Sequence, residues 1–377
     1  MERRPFPNMP NPRKVAPMPK LRRISVLALT GLGATLFAIA APSPARAVSI
    51  PISESNLFIL DVSGSTNSVE LWKNLKVSLT SKLSQPFGNP ISKSIALKYP
   101  VDVSVTSVSQ NSQNSPIFSI VSKSDAKQIW GAVEQVFPNS TDKRLKAITT
   151  ELFDENGPWA GQAKIFTKSK IVIPTAAACK KSTLDSINQG SFLRNTDERN
   201  KLVLSAALCG KIISIAKNLK QADDYFSKPL CDKRASCSDI AGVIYRSTNL
   251  AADLASQERY RVNGKEVAPK LCIAIASDML NESPGMSRTS KLDSKRIATT
   301  AASLTEAKSA GVAAAKSVGI SFPSNISVRA VMVGIGSGPN PIALERNSYL
   351  LSYWEGFWTA SGVKETNQAQ SLNQACS

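Results

Sequence analysis

Apolar runs that stop abruptly at polar residues punctuate this chain and set its predicted elements. Leu57–Leu60 is four consecutive apolar residues ending at Asp61, the pattern of a strand buried on both faces in a parallel sheet flanked by helices. Leu271–Ala276 is a second such run, closed by Ser277 and Asp278, and Ile326–Ile335 is a third. Val101, Val103 and Val105 alternate with polar residues, which predicts a half-buried strand. Ile117–Val121, after the polar loop Ser109–Ser115, predicts its hairpin partner at a sheet edge. Elsewhere the apolar period lengthens to that of a helix. Val69, Trp72, Leu75, Leu79 and Leu83 share one face of Ser68–Leu83, and Leu202, Leu204, Leu208, Ile212, Ile213 and Ile215 do so within Thr196–Leu219. Further helices are expected from Ser124-Asp125 to Phe137, over Ser238–Tyr260, over the Ala-rich Ile297–Val318 and over the aromatic Arg346–Ala360. Asp223-Asp224 reads as part of a solvated connection, and residues 138–195, rich in Ser, Thr, Asn and Gly, as an insertion into the core fold that borders the crevice at the carboxyl end of the first strand. Strands alternating with helices after a hairpin give an α/β fold: a doubly wound, mostly parallel sheet with an antiparallel edge hairpin and helices on both faces.

The polar end of the first strand is where chemistry is expected. Asp61-Val62-Ser63-Gly64-Ser65 places a carboxylate and two hydroxyls at the carboxyl end of a central strand, and in open α/β sheets those ends border the ligand crevice. Gly64 permits the tight turn that lets Ser63 and Ser65 converge on the Asp61 carboxylate. Such a set of hard oxygen donors suits Mg²⁺ or Mn²⁺.

Asp61-x-Ser63-x-Ser65 after an apolar strand resembles the metal-ion-dependent adhesion site of von Willebrand factor type A domains, and the resemblance spans residues 55–362. It implies a von Willebrand factor A-like fold and two further site residues: a Thr in a later loop before a helix, and an Asp ending the next central strand. Thr196, before the helix Asn200–Leu219, and Asp278 take those places. Thr183 and Thr175 are alternatives to Thr196, because the gap from Ser65 is longer than is usual in the family. Met279 stands where the family often has Gly. By this resemblance Asp61, Ser63, Ser65 and Thr196 hold Mg²⁺ (or Mn²⁺), Asp278 acts through water, and the carboxylate of a partner fills an exchangeable position.

Composition narrows the setting. The chain has 377 residues and no histidine, which excludes Ser-His-Asp and Cys-His catalysis and every His-ligated zinc or iron site. Residues 1–47 read as a signal peptide: a basic start ending in Arg22-Arg23, the apolar Ile24–Ala41 and the small-x-small Ala45-Arg46-Ala47. Uncleaved, Ile24–Ala41 is just long enough to anchor the chain in a membrane. Cleavage leaves 48–377 as a single domain with the insertion and a short C-terminal tail. The destination is then the periplasm or cell surface, or the thylakoid lumen in a photosynthetic organism. The net charge of +18 includes eight Lys/Arg and one Glu in residues 1–47, so the remainder carries +11. That excess favours an acidic partner, a protein or an anionic surface ligand offering a carboxylate. Its lysines lack the aromatic interleaving of a single-strand nucleic-acid binder.

Six cysteines, Cys179, Cys209, Cys231, Cys237, Cys272 and Cys376, follow the signal segment. An even number in an exported chain suggests disulfides. Cys231 and Cys237 flank a short polar loop and form the best local pair, Cys272 also reads as a small buried hydrophobe, and the tail is open to tethering through Cys376. Gly334, Gly336 and Gly338 follow the third strand as a phosphate cradle would, but Pro339 and Pro341 stand where its helix should begin. The expected function is exported, metal-dependent adhesion or interaction rather than catalysis. Its alternatives are a structural scaffold subunit with an idle metal site and a Mg²⁺-dependent hydrolase using Asp61. A hydrolase of the haloacid dehalogenase type needs a general acid two residues after its nucleophile, where this chain has Ser63.

Overall fold

In a computed structural model of the chain, the apolar runs assemble side by side into a six-stranded sheet. The structure describes residues 52–62, 69–76, 101–136, 211, 213–228, 230–231, 238–257, 260–262, 265–281, 290–336 and 342–376. Residues 1–47, the insertion at 138–195, Ser63, Ser65, Thr175, Thr183, Thr196 and Cys237 therefore lie outside the described residues.

The strands are β1 (Glu54–Asp61), β2 (Val101–Val108), β3 (Phe118–Val121), β4 (Tyr260–Val262), β5 (Lys265–Val267), β6 (Lys270–Ala276), β7 (Ser327–Val333) and β8 (Glu365–Ala369). The sheet order is β3-β2-β1-β6-β7-β8, and β4 and β5 form a separate two-stranded hairpin. β1 pairs in parallel with β2 on one side and β6 on the other, and β6–β7 and β7–β8 are parallel too. β3 is antiparallel to β2, the edge hairpin that the alternation predicts. All eight residues of β1 are buried. Successive side chains of a strand point to opposite faces, so both faces of the sheet are covered at its centre.

Helical residues 69–76 (α1) adjoin undescribed residues at both ends, and 213–226 (α3) at the start only. The other helices are α2 (Lys123–Val136), α4 (Ile240–Ala255), α5 (Ser294–Thr300), α6 (Leu304–Val318) and α7 (Asn347–Ala360). No helix among the described residues is long and apolar enough to cross a membrane. α6 packs on α7 through two glycines: a Cβ on Gly311 would lie 1.9 Å from the Tyr353 carbonyl oxygen, and one on Gly356 2.1 Å from that of Lys308. Only glycine permits backbones this close. The packing seats Tyr353, Trp354, Phe357 and Trp358 in the core, as the aromatic period implies.

Several boundaries differ from the expectation, each for a local reason. β2 is buried along its full length rather than on one face, Asp102, Ser104, Thr106 and Ser107 included. Part of their polarity is met by specific partners, such as Ser55 Oγ donating to Asp102 Oδ2 at 2.9 Å and Thr106 Oγ1 to Pro116 O at 2.9 Å. The Ala-rich helix is two helices, because Ala301 turns extended and the Ser303 side chain accepts from the Glu306 N–H to start α6 afresh. α4 stops at Ala255, and Tyr260 belongs to the β4–β5 hairpin. The helix expected to close at Leu219 continues through Asp223-Asp224. Asp223 is no solvated linker residue: it accepts from Trp72 Nε1 at 2.8 Å and Lys76 Nζ at 2.9 Å, fastening α1 to α3. Burial pushes its carboxyl upward, but the donors from Trp72 and Lys76 outweigh that and hold it below the usual carboxylate range.

β8 has no apolar signal at all. Its Glu-Thr-Asn-Gln-Ala sequence pairs with β7 as an exposed edge, held by backbone bonds that any side chain permits. The tail then folds back so that Cys376 is bonded to Cys272. The tether expected through Cys376 is thus present, and Cys272 is a cystine rather than a free buried thiol. Arg329 reinforces the closure by donating to the Ala375 carbonyl at 2.8 Å. Cys231 is also disulfide-bonded.

Candidate functional site

Strand order indicates where a ligand site is expected. The chain leaves β1 toward β2 and β3 and returns on the other side to β6, β7 and β8, so the order reverses between β1 and β6. The crevice outside the carboxyl ends of the strands at such a reversal is the usual ligand site of an open α/β sheet. β1 ends at Asp61, and Leu60 pairs with Ala276 of β6, which brings Ser277 and Asp278 up beside it. Of the residues expected to hold a metal, Asp61 and Asp278 are therefore brought together. Ser63, Ser65 and Thr196 lie outside the described residues.

Both carboxylates are buried, Asp61 completely and Asp278 to within 2 %. Ser277 Oγ donates to Asp61 Oδ2 at 2.6 Å and accepts from the Met279 N–H at 2.8 Å. The Leu280 N–H donates to Asp278 Oδ1 at 3.0 Å, and the Gly336 N–H to the Asp278 carbonyl at 2.9 Å. Gly336, at φ 70°, thus spends its donor on the Asp278 backbone rather than on a phosphate. Sequence reading missed Ser277, although its place beside Asp278 at the end of an apolar run was a usable signal. It also gave no warning of Met279, which takes φ 64° and is the only non-glycine residue with positive φ among the described residues.

Among the described residues no three Asp, Glu or Cys side chains gather into a metal-binding group. The arrangement here differs in kind: two carboxylates with hydroxyl neighbours. Carboxylate and hydroxyl oxygens fit a hard dication such as Mg²⁺ or Mn²⁺ and do not fit a soft one.

A second concavity lies at the far edge of the sheet, about 400 Å³ between β3, the start of α2 and α3, lined by Phe118, Ser119, Ser122, Asp125, Ser214 and Asn218 among others. Its one carboxylate, Asp125, already accepts from Ser122, Ser214 and Lys211. It is remote from the switch point, and the reversal of strand order favours the crevice at Asp61 and Asp278.

No family model matches the chain, and neither does any curated protein or solved structure. Any functional reading therefore stands on the residues and their geometry.

Proposed function

We propose that this chain is a von Willebrand factor A-like domain, exported from the cytoplasm, that uses a bound Mg²⁺ or Mn²⁺ to capture an acidic group of a protein or surface partner. The observation that carries the reading is the pairing of Asp61 and Asp278, two buried carboxylates on adjoining parallel strands at the switch point of the sheet. Met279 supports it, because the residue after Asp278 holds a left-handed backbone at the position where the family often has Gly.

In this reading Asp61 and the hydroxyls of Ser63, Ser65 and Thr196 hold the ion, with Asp278 behind water. A Mg²⁺ held by one or two carboxylates stays electrophilic and keeps an exchangeable position that a partner's Asp or Glu can fill. The protein's part is to fix the donors. Ser277 orients the Asp61 carboxylate through its 2.6 Å bond, and the Leu280 N–H fixes that of Asp278. The basic surplus of the chain draws an acidic partner toward the site.

Thermal unfolding with EDTA and then with millimolar Mg²⁺ or Mn²⁺, beside Asp61→Ala, tests the reading. Metal that binds only the native state raises stability by roughly 2.7 kcal/mol at a hundredfold excess over its dissociation constant. The rise is expected in the parent and absent in Asp61→Ala. Equal curves with and without metal in the parent would overturn the metal site.

A further inference from the structure

The geometry points to Trp354 as a positioning residue for the crevice: its indole N–H holds Met279 in a left-handed backbone and, through Ser277, the Asp61 carboxylate in place. The inference rests on the metal-binding reading of that crevice.

A methionine at φ 64° occupies a region that L side chains adopt only where the surroundings impose it. Here the imposing contacts are visible. The Met279 carbonyl accepts from Trp354 Nε1 at 2.8 Å and from Ser294 Oγ at 3.0 Å. Its N–H donates to Ser277 Oγ, whose own hydroxyl donates to Asp61 Oδ2. The result is a continuous chain of donors from the indole on α7 to the carboxylate at the end of β1. Trp354, Met279 and Asp61 are all fully enclosed, and Ser277 nearly so, so water cannot replace a missing link. α7 is in turn fixed against α6 by the Gly311 and Gly356 contacts, and Tyr353, the neighbour of Trp354, donates to the Lys291 carbonyl at 2.9 Å. One turn of α7 thus clamps both the residue after Asp278 and the turn that precedes α5.

Ser294 shares the carbonyl but also accepts from the Asn281 N–H, which ties it to the next residues of the loop. Trp354 has no such second duty for its N–H. A glycine in place of Met279 would adopt the same backbone without help, so the clamp exists because a methionine stands there.

The test is Mn²⁺ binding by the full chain, measured by titration calorimetry, in the parent, Asp61→Ala, Trp354→Phe, Met279→Gly and Met279→Gly/Trp354→Phe. Trp354→Phe keeps an aromatic ring and removes the donor. It is expected to weaken Mn²⁺ affinity by about tenfold or more, as loss of an outer-shell partner does. The double variant is expected to regain most of that loss, since a glycine there needs no clamp. A purely structural Trp354 would give no such rescue. Parent-like affinity in Trp354→Phe, or a double variant as weak as Trp354→Phe, would overturn the inference while leaving the metal site standing. No Mn²⁺ uptake by the parent would overturn the metal site and this inference together. Should Trp354→Phe fail to fold, Met279→Gly/Trp354→Phe carries the test: its glycine needs no clamp, so near-parent Mn²⁺ affinity is expected there, and an affinity as weak as that of Asp61→Ala would overturn the inference.

Discussion

Asp61 and Asp102 sit on neighbouring strands, both buried in the same sheet, and their surroundings at its two ends could hardly differ more. Asp61 closes β1 at the carboxyl end, beside Asp278, in a web of donors that runs out to Trp354. Asp102 is the second residue of β2, at the amino end. It receives one side-chain donor, Ser55 Oγ, and its Oδ1 is buried without a hydrogen-bond partner. Burial pushes its carboxyl up to about 7, against the lowering effects of Ser55 and Lys123. A covalent bond reinforces this same end, where Cys272, near the start of β6, is joined to Cys376. The comparison teaches that a buried carboxylate is not by itself a site. At the carboxyl end, two buried carboxylates close adjoining strands and are held by hydroxyl and backbone donors; at the amino end, Asp102 lies beside buried Glu54, whose charge adds to the effect of burial and raises it further.

The largest effect expected at the amino end comes from opening the cystine. Cys272 and Cys376 are 104 residues apart, so by the loop-closure entropy that the bond removes from the unfolded chain Cys376→Ser should cost about 4 to 5 kcal/mol in urea unfolding. The crevice end should be spared, so Mn²⁺ affinity should stay near that of the parent.

Nearly as large, and of opposite sign, is the removal of the strained carboxyl. The folded pKa of Asp102 lies above its unfolded value of 3.8, at about 7. Its stabilising contribution is therefore fully present below pH 3.8 and lost as pH rises through 7. Roughly three pKa units correspond to on the order of 4 kcal/mol. Asp102→Asn should gain on the parent by up to that amount between pH 4 and pH 8, as read from urea midpoints across pH. A difference that does not change with pH would remove the contrast between the two ends.

Two matched serines then compare the ends directly. Ser277→Ala deprives buried Asp61 and the Met279 N–H of a shared partner, and should cost about 1 to 3 kcal/mol with a loss of Mn²⁺ affinity. Ser55→Ala deprives Asp102 of its donor and should cost about 1 kcal/mol at pH 8, little below pH 4, and nothing in Mn²⁺ affinity. The midpoint of the Asp102 pH dependence should move above 7, because the Ser55 bond favours the charged form. An equal loss of metal affinity in the two variants would show that the ends are coupled rather than separate.

Much of this was legible in the chain before folding. The runs Leu57–Leu60 and Leu271–Ala276 are apolar at every position, and an unbroken run of that length reads as a two-sided strand whatever surrounds it. Their abrupt polar ends marked Asp61 and Asp278, because a buried carboxylate at the end of an apolar run must be met by specific donors and so stands out from the pattern. The α6 cap was less visible: Ser303 sits inside an Ala-rich stretch whose period runs straight through it, and its side chain, with that of Glu306 accepting from the Ala302 N–H, restarts the helix. β8 was invisible, since an exposed edge strand is held by backbone bonds that leave no apolar trace.

What only the tertiary structure decided is proximity. Sequence can say that two strands end in carboxylates, but pairing Leu60 with Ala276 is what sets Asp61 beside Ser277 and Asp278 across more than two hundred residues of chain. The left-handed backbone at Met279 is decided the same way. Local propensity opposes it for any side chain, and the contacts that impose it come from Ser294 and Trp354, brought near by the packing of α7 on α6. Apolar patterning acts residue by residue and survives in the sequence; donor geometry arises only when distant segments meet, and so belongs to the fold.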